Sequence, residues 1–159
     1  MRIAGIKYND IVDCESGICV SLWTQGCPHR CKGCHNPETW DFNGGYEIDE
    51  QELIDIILKA INKNGISRSF SILGGEPLCE ENLSAVDRIL AKVKETYPNC
   101  LIYIWTGYTL EFLQAKEDAR INRIIENTDY LIDGPYIESL RDIRLPLRGS
   151  SNQRVHKFF

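Results

Sequence analysis

Short apolar runs alternate with amphipathic stretches along most of the chain. Gly17-Ile18-Cys19-Val20-Ser21-Leu22-Trp23 reads as a buried strand. Between Tyr46 and Asn64, Leu53, Ile54, Ile57, Leu58 and Ile61 recur at helical spacing. Asp49 stands at the N-cap, Glu52 follows at capping-box spacing, and Gly65 supplies the stop. Ser69-Phe70-Ser71-Ile72-Leu73 is a second strand, broken by Gly74-Gly75-Glu76-Pro77. Asn82 then opens a helix carrying Leu83, Val86, Ile89, Leu90 and Val93 toward Pro98. Leu101 to Trp105 is a third apolar strand, ended by Thr106-Gly107-Tyr108, and a weaker helical stretch runs from Leu110 to about Glu126. Tyr130-Leu131-Ile132 is the fourth strand, ended by Asp133-Gly134-Pro135.

Strand, turn and helix therefore repeat about four times. Apolar strands with little alternation indicate mostly parallel strands with covering helices, an α/β class. Right-handed crossovers would wind them one way round, and such a sheet can curl toward a barrel. A full eight-unit barrel typically needs about 250 residues, so 159 residues predict a partial (β/α) barrel, read as one domain over 1–159. Each turn follows a strand, which gathers the turns at the carboxyl edge of the sheet, where α/β proteins bind ligands.

Composition adds boundaries. With 43% hydrophobic and 26% charged residues the chain reads as an ordinary globular protein. No apolar window approaches a membrane span and no leader-like segment opens the chain, so a cytoplasmic location is expected. A net charge of -5 argues against nucleic acid and membrane surfaces as partners. The charge is uneven: Arg141 to Phe159 holds five basic residues against Asp142, which points to a solvated tail or a contact surface.

Seven cysteines, an odd number, include three in the run Gly26-Cys27-Pro28-His29-Arg30-Cys31-Lys32-Gly33-Cys34-His35-Asn36-Pro37. That clustering favours metal binding in a reducing compartment over a disulfide framework. A four-iron cluster normally takes four thiolates, so three would leave one iron open to a ligand that is not protein. A structural zinc site is the alternative, with His29, His35, Cys14 or Cys19 as fourth ligand. Cys14, Cys19, Cys79 and Cys100 otherwise read as buried thiols.

The CxxxCxxC loop after the first strand, with Gly74-Gly75-Glu76-Pro77 after the second, resembles the radical S-adenosylmethionine (SAM) enzymes. The resemblance implies a 4Fe-4S cluster on Cys27, Cys31 and Cys34 whose open iron chelates SAM, and reductive cleavage of SAM to a 5'-deoxyadenosyl radical. It also implies that Gly74 and Gly75 bind the SAM ammonium, with Glu76 as an added negative charge. Where that family often carries an aromatic residue before the last cysteine, this chain has Gly33, so the backbone from Gly33 through Cys34 to His35 is the expected adenine contact. Asp133 is a candidate ribose contact, and Thr106 and Tyr108 are further candidate site residues.

Cys34-His35-Asn36-Pro37-Glu38-Thr39-Trp40 is similar to the activases that install a glycyl radical on a partner enzyme. Trp105 to Thr109, Leu131 to Pro135 and Arg148-Gly149-Ser150-Ser151-Asn152-Gln153-Arg154 are similar to the activases that serve the anaerobic ribonucleoside-triphosphate reductase. That resemblance implies the reductase as protein substrate and a flavodoxin or ferredoxin as electron donor. Three alternatives stay open: an activase of another glycyl-radical enzyme such as pyruvate formate-lyase, a radical SAM enzyme with a small-molecule substrate, and a zinc or iron-sulfur binding module.

Overall fold

The computed structural model describes Met1 to Phe159. Seven strands form one mixed sheet in the order β3-β1-β2-β4-β5-β6-β7. The centre is the predicted parallel set: β2 (Cys19–Thr24), β4 (Ser69–Gly74), β5 (Ile102–Trp105) and β6 (Tyr130–Asp133). Three antiparallel strands that the hydrophobic pattern did not predict flank it. β1 (Arg2–Asp10) pairs with β2 and with the two-residue β3 (Tyr46–Glu47), and β7 (Arg154–Lys157) pairs with β6. The architecture is α/β with a mixed sheet, open between β3 and β7.

Helix α1 (Glu50–Ile61) starts as its sequence dictates, with the Asp49 side chain accepting the Glu52 amide at 3.0 Å. Helix α2 (Glu80–Thr96) begins two residues before the expected Asn82. The weaker stretch from Leu110 is two helices, α3 (Leu110–Ala115) and α4 (Ala119–Glu126). They are separated at Glu117, whose φ of 51° no helix accommodates, and Asp118 restarts the chain by accepting the Arg120 amide.

The helices cover one face of the sheet. Leu53, Ile57, Leu83, Val86 and Leu90 pack with Val20, Leu22, Phe70, Ile72, Ile102 and Ile104 in a core of 23 buried residues. The opposite face carries a smaller cluster of Cys14, Cys19, Tyr103, Tyr130 and Ile132. All seven cysteines are free; Cys14, Cys19, Cys79 and Cys100 are buried, as expected, and burial pushes the Cys79 and Cys100 thiols up to about 12. Those two pack as protonated groups.

Register decides where the turns fall. Thr24 pairs with Gly74, Ile72 with Ile104, and Trp105 with Ile132, so the central strands end nearly level. The segments after β2, β4, β5 and β6 consequently emerge together at one edge of the sheet.

At the other end of β1, burial and the neighbouring Asp10 raise the Asp13 carboxyl to about 7, above its ordinary value near 4. Asp10 Oδ2 is buried without a hydrogen-bond donor, apart from Lys7 Nζ 3.8 Å away, and a protonated Asp13 supplies one. Because the folded pKa lies above the unfolded one, this contribution to stability is full below about pH 4 and is lost as pH rises through 7. Denaturant unfolding of the cluster-free protein between pH 5 and pH 8 should therefore show a declining midpoint. Asp13→Asn, which keeps a donor toward Asp10, should flatten that decline; an equal decline in the variant would refute the assignment.

Candidate active site

The four level strand ends build a cavity of about 250 Å³. Cys27, Cys31 and Cys34 line it from the segment after β2, Gly74, Gly75 and Glu76 from that after β4, and Thr106 and Gly107 from that after β5. Gly134, Tyr136, Gly149 and Gln153 complete the wall from the chain beyond β6. Motifs distant in sequence thus share one space.

The glycines allow the elements to meet. A Cβ on Gly75 would lie 2.4 Å from the Gly26 carbonyl oxygen, so the turn after β4 can lie against the cysteine loop only without a side chain there. The amides of Gly75 and Glu76 donate to Thr24 O at 2.9 Å and Gly26 O at 2.8 Å, extending the β2–β4 pairing past the strands. With its amides engaged, the turn can present carbonyl oxygens to a ligand, and these suit a donor such as an ammonium.

Glu76 is 1% exposed and joins three loops. Its Oε1 accepts the Leu78 amide at 2.9 Å and the Thr106 hydroxyl at 2.7 Å. Its Oε2 takes the Gly107 amide at 2.7 Å and lies 2.8 Å from His29 Nε2. The carboxylate has about four acceptor positions and all are used. Glu76 therefore acts through the loops it holds, with no lone pair left for direct contact with an ammonium. His29, between Cys27 and Cys31, also meets the Tyr108 ring edge-on at 4.5 Å, and a Cβ on Gly107 would collide with it. Its Nε2 is occupied, so that atom is not free to serve as a fourth metal ligand.

Backbone amides face the thiols. The Asn36 amide donates to Cys34 Sγ at 3.4 Å, those of His29 and Arg30 face Cys27, and that of Tyr136 faces Cys31. Burial pushes the Cys27 and Cys31 thiols up, with these amides acting in the opposite sense. No three His, Cys, Asp or Glu side chains converge on a single-ion position. An iron-sulfur cluster binds its thiolates on separate irons, which suits three sulfurs spread over one wall. The donor set and the amides facing it fit such a cluster.

The other sequence candidates divide between the cavity and its surroundings. His35 lines the cavity, its ring 5.8 Å from that of Tyr136, whereas Gly33 stands outside the lining against Glu138. Asp133 is fully buried behind the wall. It accepts the Leu110 amide at 2.7 Å and Arg154 Nε at 3.0 Å, and lies 3.1 Å from His156 Nε2. Burial raises its pKa, but Arg154 and the Leu110 amide outweigh that and hold it below the usual carboxylate range. Asp133 thus fastens β7 to β6 and caps α3. Trp40, Trp105 and Tyr136 are cavity residues that sequence reasoning did not assign; the aromatic character of all three was the available signal.

Comparison with known proteins gives this geometry a context. Residues 15–156 match the model of the 4Fe-4S single cluster domain family. The chain is 38% identical to the anaerobic ribonucleoside-triphosphate reductase-activating protein of Vibrio cholerae, over 94% of this chain and 93% of that one. It is 36% identical to the protein of that name from Haemophilus influenzae, covering 94% and 93%, and 34% identical to that from Escherichia coli K12, covering 92% of each. The chain belongs to the family of anaerobic ribonucleoside-triphosphate reductase-activating proteins. As a member of this activase family it is an enzyme with a 4Fe-4S domain, and the cysteine loop lies within the matched residues.

Removing Glu76 tests the coupling of the loops. Glu76→Ala strands the Leu78 and Gly107 amides and the Thr106 hydroxyl, each unsatisfied group costing about 1–3 kcal/mol. Unfolding of the variant should show a loss of roughly 3 kcal/mol or more, together with reduced cluster uptake on anaerobic reconstitution. Wild-type stability and iron content would show that the carboxylate holds nothing.

Proposed function

We propose that this protein activates an anaerobic ribonucleoside-triphosphate reductase by reductive cleavage of SAM, leaving a glycyl radical on the reductase. The observation that carries the reading is the shared cavity of Cys27, Cys31, Cys34 and the Gly74–Glu76 turn in a chain whose relatives bear that activating name. On this reading residues 1–159 are one radical SAM domain, a partial barrel open between β3 and β7.

Cys27, Cys31 and Cys34 hold the 4Fe-4S cluster, which when bound and reduced supplies the electron that splits the SAM sulfonium. Gly74 and Gly75 offer carbonyl oxygens to the SAM ammonium, and Glu76 fixes that turn at its distance from the cysteine loop. Backbone at Cys34 and the exposed ring of His35 border the cavity where the adenosine is expected. Gly33 and Asp133 lie outside the lining, so Gly33 gives the loop its turn and Asp133 supports the wall. Trp40, Leu73 and Trp105 give the cavity apolar wall that limits water around a reactive radical.

The partner is the reductase, and the electron donor in this reading is a flavodoxin or ferredoxin. No helix is long and apolar enough to cross a membrane. Seven free cysteines fit a reducing compartment, which supports a cytoplasmic site of action.

Anaerobic incubation of the reconstituted protein with SAM, reductant and the purified reductase should give a glycyl-radical signal by electron paramagnetic resonance. The same mixture with pyruvate formate-lyase should give none. Cys27→Ala, Cys31→Ala or Cys34→Ala should abolish both SAM cleavage and the signal, whereas Cys100→Ala should leave both within about twofold of wild type, since that thiol only packs. A Cys31→Ala protein that cleaves SAM, or tight zinc binding with no cluster, would overturn the reading.

A further inference from the structure

Between Tyr136 and Gly149, both of which line the cavity, the chain leaves the wall and returns to it. The projecting part is closed at its base by the antiparallel bridge of Arg141 and Ser150, by Asp142 N donating to Gly149 O at 3.1 Å and by Ser151 N donating to Leu140 O at 2.9 Å. Inside, Trp105 Nε1 donates to Leu147 O at 2.7 Å, and Leu147 packs on the small cluster of the sheet's uncovered face. The loop is therefore anchored at both its base and its inner side.

Its outer side exposes apolar side chains beside its arginines. Ile143 is 83% exposed, the highest value of any large apolar side chain in the protein, and the partly exposed Ile137 and Leu140 lie on the same segment. These side chains contribute little to the isolated fold. Covering Ile143 with a partner removes apolar surface from water, and an anchored loop loses little freedom in doing so.

Charge narrows the choice of partner. Arg30 and Lys32 on the cysteine loop, with Arg141, Arg144 and Arg148 on the projecting segment, face only Glu138 and Asp142 among acids on these two stretches. The Lys32–Glu138 contact at 3.3 Å places the stretches side by side. Arg144 is paired with Asp142 and the half-buried Arg148 donates Nη1 to Gln153 O at 3.0 Å, while Arg30 and Arg141 are exposed and take part in no ion pair. A cationic rim on a chain of net charge -5 selects an acidic surface.

We propose that residues 137–148 dock an acidic segment of the reductase beside its glycine, with Ile143 as the apolar anchor and Arg141 as a charge contact. This rests on the activase reading of the cavity. A chain seated on Ile143 lies on the segment that leaves and rejoins the cavity wall at Tyr136 and Gly149, which keeps it close to the site its glycine has to reach. An electron donor delivers only an electron and has no need to approach the cavity as closely.

The test uses the full-length, cluster-loaded protein and the purified reductase under anaerobic conditions, with affinity measured by titration calorimetry. Ile143→Asp and Arg141→Glu should each weaken reductase binding tenfold or more. Cluster content and dithionite-driven SAM cleavage without reductase should stay within about twofold of wild type, and glycyl-radical yield should recover at high reductase concentration. Ile66→Asp, on exposed apolar surface before β4 at the far end of the sheet, should bind as wild type. Wild-type affinity in both loop variants overturns the proposal. So does a loss confined to flavodoxin-driven SAM cleavage, which would assign the loop to the electron donor. A wild-type protein that leaves no radical on the reductase would instead overturn the activase reading.

Discussion

A carboxylate with almost no access to water is expensive unless every lone pair is met, and Glu76 meets that demand with groups from three separate loops. The cysteine loop contributes His29, the glycine turn contributes its own Leu78 amide, and the segment after β5 contributes Thr106 and Gly107. None of these loops can shift alone without exposing the charge to an unsatisfied environment. The relative placement of thiols and glycine turn follows from that constraint, and the level ends of the parallel strands bring the loops within reach of it.

The C-terminal segment divides into two kinds of charge. Arg154 is held by Asp133 and Glu111, and Lys157 by Glu15 at 2.6 Å, so part of what reads in sequence as a basic tail is internal fastening of β7. Asn152 Nδ2 donates to Pro135 O at 2.7 Å and Gln153 Nε2 to Gly134 O at 3.1 Å, which ties the same strand to the cavity wall. Only the stretch before β7 keeps basic side chains for other use. Total charge concealed this difference because pairing depends on contacts far apart in the chain.

The parts legible in sequence were those governed by local rules. Helix α1 announced its cap through Asp49 and Glu52, and the four buried strands announced themselves as unbroken apolar runs. β1 and β7 escaped because they lie at the margins of the sheet and are half exposed, the short β3 covering only Arg2 and Ile3 of β1: Ile6, Lys7, Tyr8 and Asn9, like Arg154, Val155, His156 and Lys157, show no continuous apolar run. In the site, cysteine spacing and the paired glycines were readable, since metal ligation and close backbone contact impose residue types directly. Tyr136 and Gln153 were not assigned as individual wall residues, because their place depends on β7 returning beside β6. Glu76 was readable as a charge near the ligand, yet its saturation by four donors appears only once the loops meet.

The wall of the cavity has an order of manufacture. Cys27, Cys31 and Cys34 leave the ribosome well before Gly149 and Gln153, which complete the enclosure. Domains fold as units, so until the stretch through Gln153 has emerged the cysteine loop stands without its far wall. Iron that reached the thiolates at that stage would be open to solvent and oxidant on the side later closed by Tyr136, Gly149 and Gln153. The topology thus favours loading of the site only after the stretch through Gln153 has closed against the cysteine loop.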